Sequence, residues 1–213
     1  GHTGFKGSWL VAWLKQLGAD VFGISNKIPT FPSMFDELKL LEQEKDYRVD
    51  IRDLNSLVKI IKSEKPEFIF HLAAQAIVSI SYTNPIETIS SNVMGTANIL
   101  EALRILNYRC NAIIITSDKA YDNVEQVWGY KEDDKMGGKD IYSGSKGAAE
   151  LIINSYFNSF FKHKKSNVKI SVGRAGNVIG GGDWAKDRIV VDCMLAWSKL
   201  KKVEVRSPRA TRP

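Results

Sequence analysis

An α/β fold, a doubly wound parallel sheet, is predicted for this 213-residue chain by three observations. Short β-branched runs alternate along it with longer segments of helical period. Two of those runs, EFIFHLAA and NAIIITS, are almost continuously apolar, as strands buried on both faces of a parallel sheet are. No internal repeat or low-complexity linker interrupts the alternation, so right-handed crossovers between parallel strands are the simplest connections.

The elements follow in order. The chain opens on GHTGFKGSWL, where Gly1, Gly4 and Gly7 run at three-residue spacing into a helix-like stretch. Ala19–Ser25 reads as a strand, and Asn26–Ser33, with two prolines, as a loop. Tyr47–Ile51 is a second strand, after which Asp53 caps the helical LNSLVKIIKSEK. EFIFHLAA is the third strand, and a long helix is predicted from about Pro85 to Asn107. NAIIITS makes the next strand and leads into a charge-rich loop, Asp118–Ile141. A helix from Tyr142 to about His163, the strand VKISVG and a helix over Asp187–Lys199 complete the pattern. Loops as long as 118–141 in compact α/β domains are commonly functional.

Composition narrows the function classes. Hydrophobic residues make up 44% and charged residues 25%, ordinary values for a soluble domain with a substantial core. The net charge is +6, but its basic residues are dispersed, and the runs FKHKKSNVK and KLKKVEV read as solvated surface. A nucleic-acid partner needs clustered basic and aromatic residues, which are not found; a nucleotide-sized anion suits the charge. Cys110 and Cys193 are too few and too far apart for a disulfide scaffold or a cysteine-based metal site. They fit a reducing, cytoplasmic compartment. No apolar run approaches the roughly 20 residues of a membrane span, so no membrane partner is expected.

Three motifs carry chemistry. Gly1, Gly4 and Gly7 permit a tight turn and close approach of backbone to a pyrophosphate, whose charge the following helix N-terminus favours. A glycine-rich turn without a ligand would show the same letters. Tyr142 and Lys146 stand at i and i+4, on one helical face, where an ammonium can favour a phenolate. A chance surface pair would also look so. Thr116, Ser117 and Asp118 fall at the end of a buried strand, the edge where open α/β sheets place ligands. There a hydroxyl can orient a sugar oxygen and a carboxylic acid can protonate a leaving group. One fold brings all three motifs to one sheet edge.

Taken together, GxxGxxG, HLAAQ (His71–Gln75), Ser117 and Tyr142-x-x-x-Lys146 resemble the extended short-chain dehydrogenase/reductase family of nucleotide-sugar enzymes. The stretches GHTGFKGSWL, PTFPSMFD (Pro29–Asp36), NVMGT (Asn92–Thr96), TSDKAY (Thr116–Tyr121), RAGNVIGGGDWAKDR (Arg174–Arg188) and the closing ATRP are similar to its 4,6-dehydratase branch. Relatives acting on dTDP-glucose usually show Asp-Glu where this chain has Asp118-Lys119, which points to CDP-linked sugars. Ala76 and Ser79 stand where relatives commonly have proline and arginine.

The resemblance implies a Rossmann domain over residues 1–175 that binds NAD, with residues 176–213 beginning a smaller substrate-binding part. It implies cofactor contacts from Gly1, Thr3, Gly4, Phe5, Gly7, Ser25, Asp50, Ile51, Leu72, Ala73, Ala74, Gln75, Asn92, Tyr142 and Lys146. The residues themselves leave NADP open, because Ser25-Asn26-Lys27 offers no carboxylate to a ribose and Lys27 could meet a 2′-phosphate. In the implied reaction Tyr142 removes the proton of a sugar 4-hydroxyl, Lys146 lowers the Tyr142 pKa, and Ser117 orients the 4-oxygen. Asp118 protonates the leaving 6-hydroxyl, and Lys119 removes the C5 proton or positions the group that does. Asn177, Arg188 and Arg212 are candidates for the sugar-nucleotide diphosphate. A 4-epimerase would share Ser117, Tyr142 and Lys146 but needs no acid for elimination; a silent NAD-binding scaffold would need none of them. A homo-oligomer is expected. A first strand is also expected immediately upstream of Gly1, with more substrate domain after ATRP.

Overall fold

The computed structural model describes residues 1–163, 165–205 and 208–209. Strands and helices alternate as predicted: α1 (Phe5–Gln16), β1 (Gly23–Ile24), α2 (Met34–Glu37), β2 (Asp46–Tyr47), α3 (Leu54–Glu64) and β3 (Phe68–His71) come first. α4 (Val78–Thr83), α5 (Pro85–Ile89), α6 (Gly95–Arg104), β4 (Cys110–Ile115), α7 (Ile141–Tyr156), β5 (Val168–Gly173) and α8 (Ile189–Trp197) follow. Every strand pair among the described residues is parallel. β4 is central in one sheet of order β3-β4-β5, and β1 pairs with β2 in the other. Phe68 to His71 lie against Asn111 to Ile114, and Cys110 to Ile115 against Val168 to Gly173.

Local chemistry sets the helix boundaries. Asp53 accepts the Ser56 backbone N–H at 3.1 Å and its hydroxyl at 2.6 Å, and Lys65 closes α3 in the left-handed conformation. Asp140 caps α7 in the same way through Ser143, at 3.0 and 2.6 Å. α5 starts on Pro85, where a missing N–H goes unnoticed. Leu57 and Ile61 of α3, Leu100 and Leu103 of α6, Ile153 of α7 and Ile114 of β4 share one core.

Several expectations need correction. The strands predicted over Ala19–Ser25 and Tyr47–Ile51 shrink to β1 and β2, because only those residues find a ladder partner. The helix predicted over 85–107 is α5, a π turn at Ser90–Met94 and α6, while α7 ends in a second π turn at Phe157–Phe161. Two helices, α2 and α4, lie in stretches given none. Burial of the sheet is one-sided: Cys110, Ala112 and Ile114 are buried, Ile113 and Ile115 only partly, and Phe68 is 57% exposed. Between the two sheets runs an apolar cleft of about 620 Å³, lined by Gly1, Ile24, Leu57, Phe70 and Ala73 among others.

Gly1 ties the sheets' carboxyl ends together. Its backbone nitrogen donates to the Ile24 carbonyl at the end of β1, and a Cβ on it would stand 2.6 Å from the backbone nitrogen of Ala73, just past β3. Past β4, the Thr116 and Asp118 amides donate to the carbonyls of Gly173 and Ala175 at 2.9 and 3.1 Å. All the motifs therefore meet at one edge.

Candidate active site

The glycine turn packs as its spacing requires. A Cβ on Gly7 would lie 2.2 Å from the Gly1 carbonyl oxygen, so only glycine lets α1 start this close to the turn. Beside Gly4 a Cβ would meet nothing nearer than 3.6 Å, which leaves the helix start open. Gly4 is the N-cap with no side-chain cap, and the first turn holds no acidic residue, so no side chain of the turn offsets the positive end of the helix. Buried Thr3 fixes the turn to the end of β1, with its hydroxyl 2.7 Å from both the Ser25 hydroxyl and the Lys27 carbonyl. These features fit a dinucleotide's pyrophosphate.

Ser117, Asp118, Tyr142 and Lys146 are brought together. The Ser117 hydroxyl donates to the Asp118 carboxylate at 2.9 Å and accepts the Lys119 backbone N–H at 3.2 Å. The Tyr142 phenol lies near enough for that hydroxyl to favour its ionisation, while the Lys146 ammonium stands 5.9 Å from the ring's centre. The ionisation expected of Tyr142 needs revising: burial pushes the phenol up, opposed by the Ser117 hydroxyl and the positive charge of Arg188. Burial is also the main reason that Lys146 is pushed down to about 8, with the nearby Lys6 charge adding to it. Behind them lies buried His71, pushed down to about 3 by desolvation, its ring nitrogen 3.2 Å from the Thr96 hydroxyl.

The other expected residues divide. Leu72 and Ala73 lie against Gly1, with Ala74 next in the chain, and Asp50 sits past β2, paired with Arg52 at 2.6 Å and within 3.5 Å of the Asn26 amide. Phe5 packs beneath Gly180. Ile51 is a buried core residue facing Gly95. Gln75 and Asn92 are committed to the protein. Asn92 accepts from the Gln75 backbone and donates to the Gln75 carbonyl and the Ser145 hydroxyl, while the Gln75 amide donates to Thr88. Asn92 thus joins the loop after β3 to α7. Arg188 is half-buried near Tyr142 and Lys6, 3.7 Å from Asp183, with no hydrogen bond at its Nε. Asn177 is exposed on the strand-end loop, and Lys119 is half-buried beside Asp118. Arg212 lies outside the described residues.

Three side chains at the site were not singled out from the sequence. Lys6, on the first turn of α1, points toward Asp118, Arg188 and Lys146; burial lowers its pKa and the Asp118 charge opposes the fall. Half-buried Arg174 and buried Glu150 form an ion pair at 2.9 Å, with Glu150 also accepting the hydroxyl of Thr116 beside Ser117. Only the letters of GHTGFKG and RAGNV could have pointed to Lys6 and Arg174.

Comparison with known proteins agrees with this geometry. A family model described as GDP-mannose 4,6 dehydratase matches residues 1–177. The chain is 48% identical over its whole length to the CDP-glucose 4,6-dehydratase of Salmonella typhimurium strain LT2, and spans 60% of that relative's length. A solved UDP-glucose 4-epimerase of Thermus thermophilus, in complex with NAD, is 26% identical with a TM-score of 0.73, covering 88% of this chain and 57% of that one. The dTDP-glucose 4,6-dehydratase of Bacillus anthracis, also with NAD, is 21% identical with a TM-score of 0.75, covering 95% and 61%; at that identity it shows a shared fold. The fold is the Rossmann fold anticipated from the motifs.

Proposed function

The chain belongs to the GDP-mannose 4,6 dehydratase family, and from that membership we propose that it carries the cofactor-binding and catalytic residues of an NAD-dependent 4,6-dehydratase converting CDP-glucose to CDP-4-keto-6-deoxyglucose. One observation carries the reading: Tyr142, the candidate base, and Asp118, a candidate acid, stand on either side of Ser117 at a single sheet edge, the Ser117 hydroxyl bonded to Asp118 and close enough to the phenol to favour its ionisation. An epimerase has no use for the acid. Identity of 48% to a CDP-glucose 4,6-dehydratase supports the choice of nucleotide and sugar.

NAD held along the glycine turn would accept a hydride at sugar C4 and return it at C6. Gly1, Gly4 and Gly7 hold its pyrophosphate, Thr3, Phe5, Ser25, Asp50 and Ala73 border it, and Lys146 reaches its nicotinamide ribose. Tyr142 takes the proton of the 4-hydroxyl, which Ser117 orients. A 4-ketone makes the C5 proton acidic; Lys119 removes it or positions the group that does, while Asp118 protonates the departing 6-hydroxyl. Arg188 and Asn177, with Arg212, receive the diphosphate, and residues 176–213 begin the substrate-binding part. Arg188 would stabilise phosphate and Tyr142 phenolate together.

Two free cysteines support a reducing, cytoplasmic setting, and among the described residues no helix is long and apolar enough to cross a membrane. A homo-oligomer completes the reading, with exposed Ile86 and Leu151 on neighbouring helices available for the contact. Incubation of the full-length protein with NAD and CDP-, dTDP- and GDP-hexoses is expected to yield a product lighter by one water from CDP-glucose. An isomeric product of unchanged mass would replace the proposal by an epimerase, and NAD binding without turnover by a scaffold. Full elimination by a Lys119→Ala variant would remove Lys119 from the mechanism.

A further inference from the structure

Arg174 follows the end of β5, and every nitrogen of its half-buried guanidinium bonds to the protein. Its Nε donates to Glu150 Oε1 at 2.9 Å and its Nη2 to Glu150 Oε2 at 3.3 Å. Its Nη1 donates to the Tyr121 hydroxyl and to the Glu132 carbonyl, both at 2.9 Å, and its central carbon is 4.8 Å from the centre of the Tyr121 ring. Glu150 is only 7% exposed, and its Oε1 also accepts the Thr116 hydroxyl at 2.5 Å.

The partners define what the pair does. Thr116 and Tyr121 bracket Ser117 to Ala120, the segment holding the candidate acid. Past it, Gly137 donates to the Ala120 carbonyl at 2.9 Å, Tyr121 bridges Met136, and the Tyr121 and Tyr130 rings stack 5.0 Å apart. Glu150 itself lies on α7 one turn after Lys146 and two after Tyr142, so it shares their helical face. We propose that the Arg174–Glu150 pair is a positioning device for the reaction. It pins the segment carrying Ser117, Asp118 and Lys119 onto α7, and it sets a balanced pair of charges directly behind Lys146. A lysine at 174 could supply the charge but not the three-way fork.

Charge balance around Lys146 makes the device measurable. Lys6 faces it from α1, Glu150 from α7, and neutral His71 from β3; Glu150 in turn faces Arg174, Thr116 and Lys146. Removing the carboxylate leaves an uncompensated cation near Lys146 and must favour the neutral amine. Removing the guanidinium leaves an uncompensated carboxylate and must favour the ammonium.

The inference rests on the dehydratase reading only where activity is measured. Competitive acetylation of the full-length protein, read at Lys146 by mass spectrometry across pH, needs neither substrate nor turnover. In Glu150→Gln the midpoint for Lys146 is expected to fall by about one pH unit, and in Arg174→Met to rise by about as much. In Arg174→Lys it stays in place, while protease cleavage between Tyr121 and Gly137 speeds up roughly tenfold. In the same variant kcat for dehydration falls with KM changed by less than about twofold. Midpoints that do not move, or that move in the same direction in the first two variants, overturn the charge half of the proposal. Unaltered cleavage in Arg174→Lys overturns the pinning half. Absence of dehydration by the unsubstituted protein would instead overturn the dehydratase reading and leave the labelling and cleavage results standing.

Discussion

Lys146 lies 7% exposed one turn along α7 from Tyr142, and burial pushes its ammonium down to about 8. In the unfolded chain a lysine keeps its proton to about pH 10.4. Between those values the unfolded state binds the extra proton, so stability rises with pH; below about 8 both states are charged and the full penalty is present. Lys146→Met is therefore expected to abolish turnover yet raise unfolding stability at pH 7 by about 1–3 kcal/mol. Urea unfolding at pH 7 and pH 10 checks it: the gain must shrink as pH rises, and a variant less stable than its parent at pH 7 contradicts it. Lys146 and Tyr142 were legible in the sequence because i, i+4 spacing and a strand-end serine are local features. The direction of the Tyr142 shift was not legible, since it depends on how deeply α7 is buried. Lys6 was hidden for a related reason: it occupies an unspecified position between two meaningful glycines. Arg174 and Glu150 are 24 residues apart, one just past β5 and the other on α7, and meet where those elements pack in the fold.

At the level of elements the boundaries with chemical markers were readable. VKISVG is β5 from its first residue to its last, and Asp53 caps α3 as its position before an apolar period predicts. β1 and β2 were overextended because β-branched content marks where a strand could form, while pairing decides where it does. The π turn at Ser90–Met94 was invisible, because one inserted residue barely disturbs the periodicity of a helix of about 20 residues. That turn nevertheless supports the site. It carries Asn92, 2% exposed, whose amide joins the loop after β3 to Ser145 on α7. Asn92→Ala would leave the Gln75 N–H, the Gln75 carbonyl and the Ser145 hydroxyl each short of a partner in a buried setting. A loss of about 2–4 kcal/mol follows from stranding groups of this kind. NAD affinity should fall with it, because Ala73 and Ala74 sit on the same loop. Thermal unfolding and cofactor titration read the two effects, and a variant of unchanged stability would show that Asn92 is dispensable to the loop.

Across the whole molecule a net charge of +6 does not by itself select a ligand, because dispersed surface lysines are screened beyond a Debye length of about 10 Å at 0.1 M salt. The selective field is local. At the carboxyl edge Lys6 feels the charge of Arg188 and acts in turn on Lys146, with Asp118 the opposing charge felt by Lys6. On the proposed reading, a sugar-nucleotide diphosphate would bring about two negative charges to that edge and be drawn by the near cations, not by the distant ones. Raising salt from about 0.05 to 0.5 M should therefore raise KM for CDP-glucose roughly three- to tenfold, while kcat changes by less than about twofold. Arg188→Gln is expected to raise KM at low salt and flatten this dependence. Exposed Lys201 and Lys202, changed together to glutamine, lower the net charge by more than Arg188→Gln does and should leave the slope as it was. Equal flattening by both changes would mean that total charge governs capture, and a KM indifferent to salt would remove the electrostatic role of Arg188 altogether. The contrast separates a built anion site from a merely basic protein, a distinction that net charge alone cannot make.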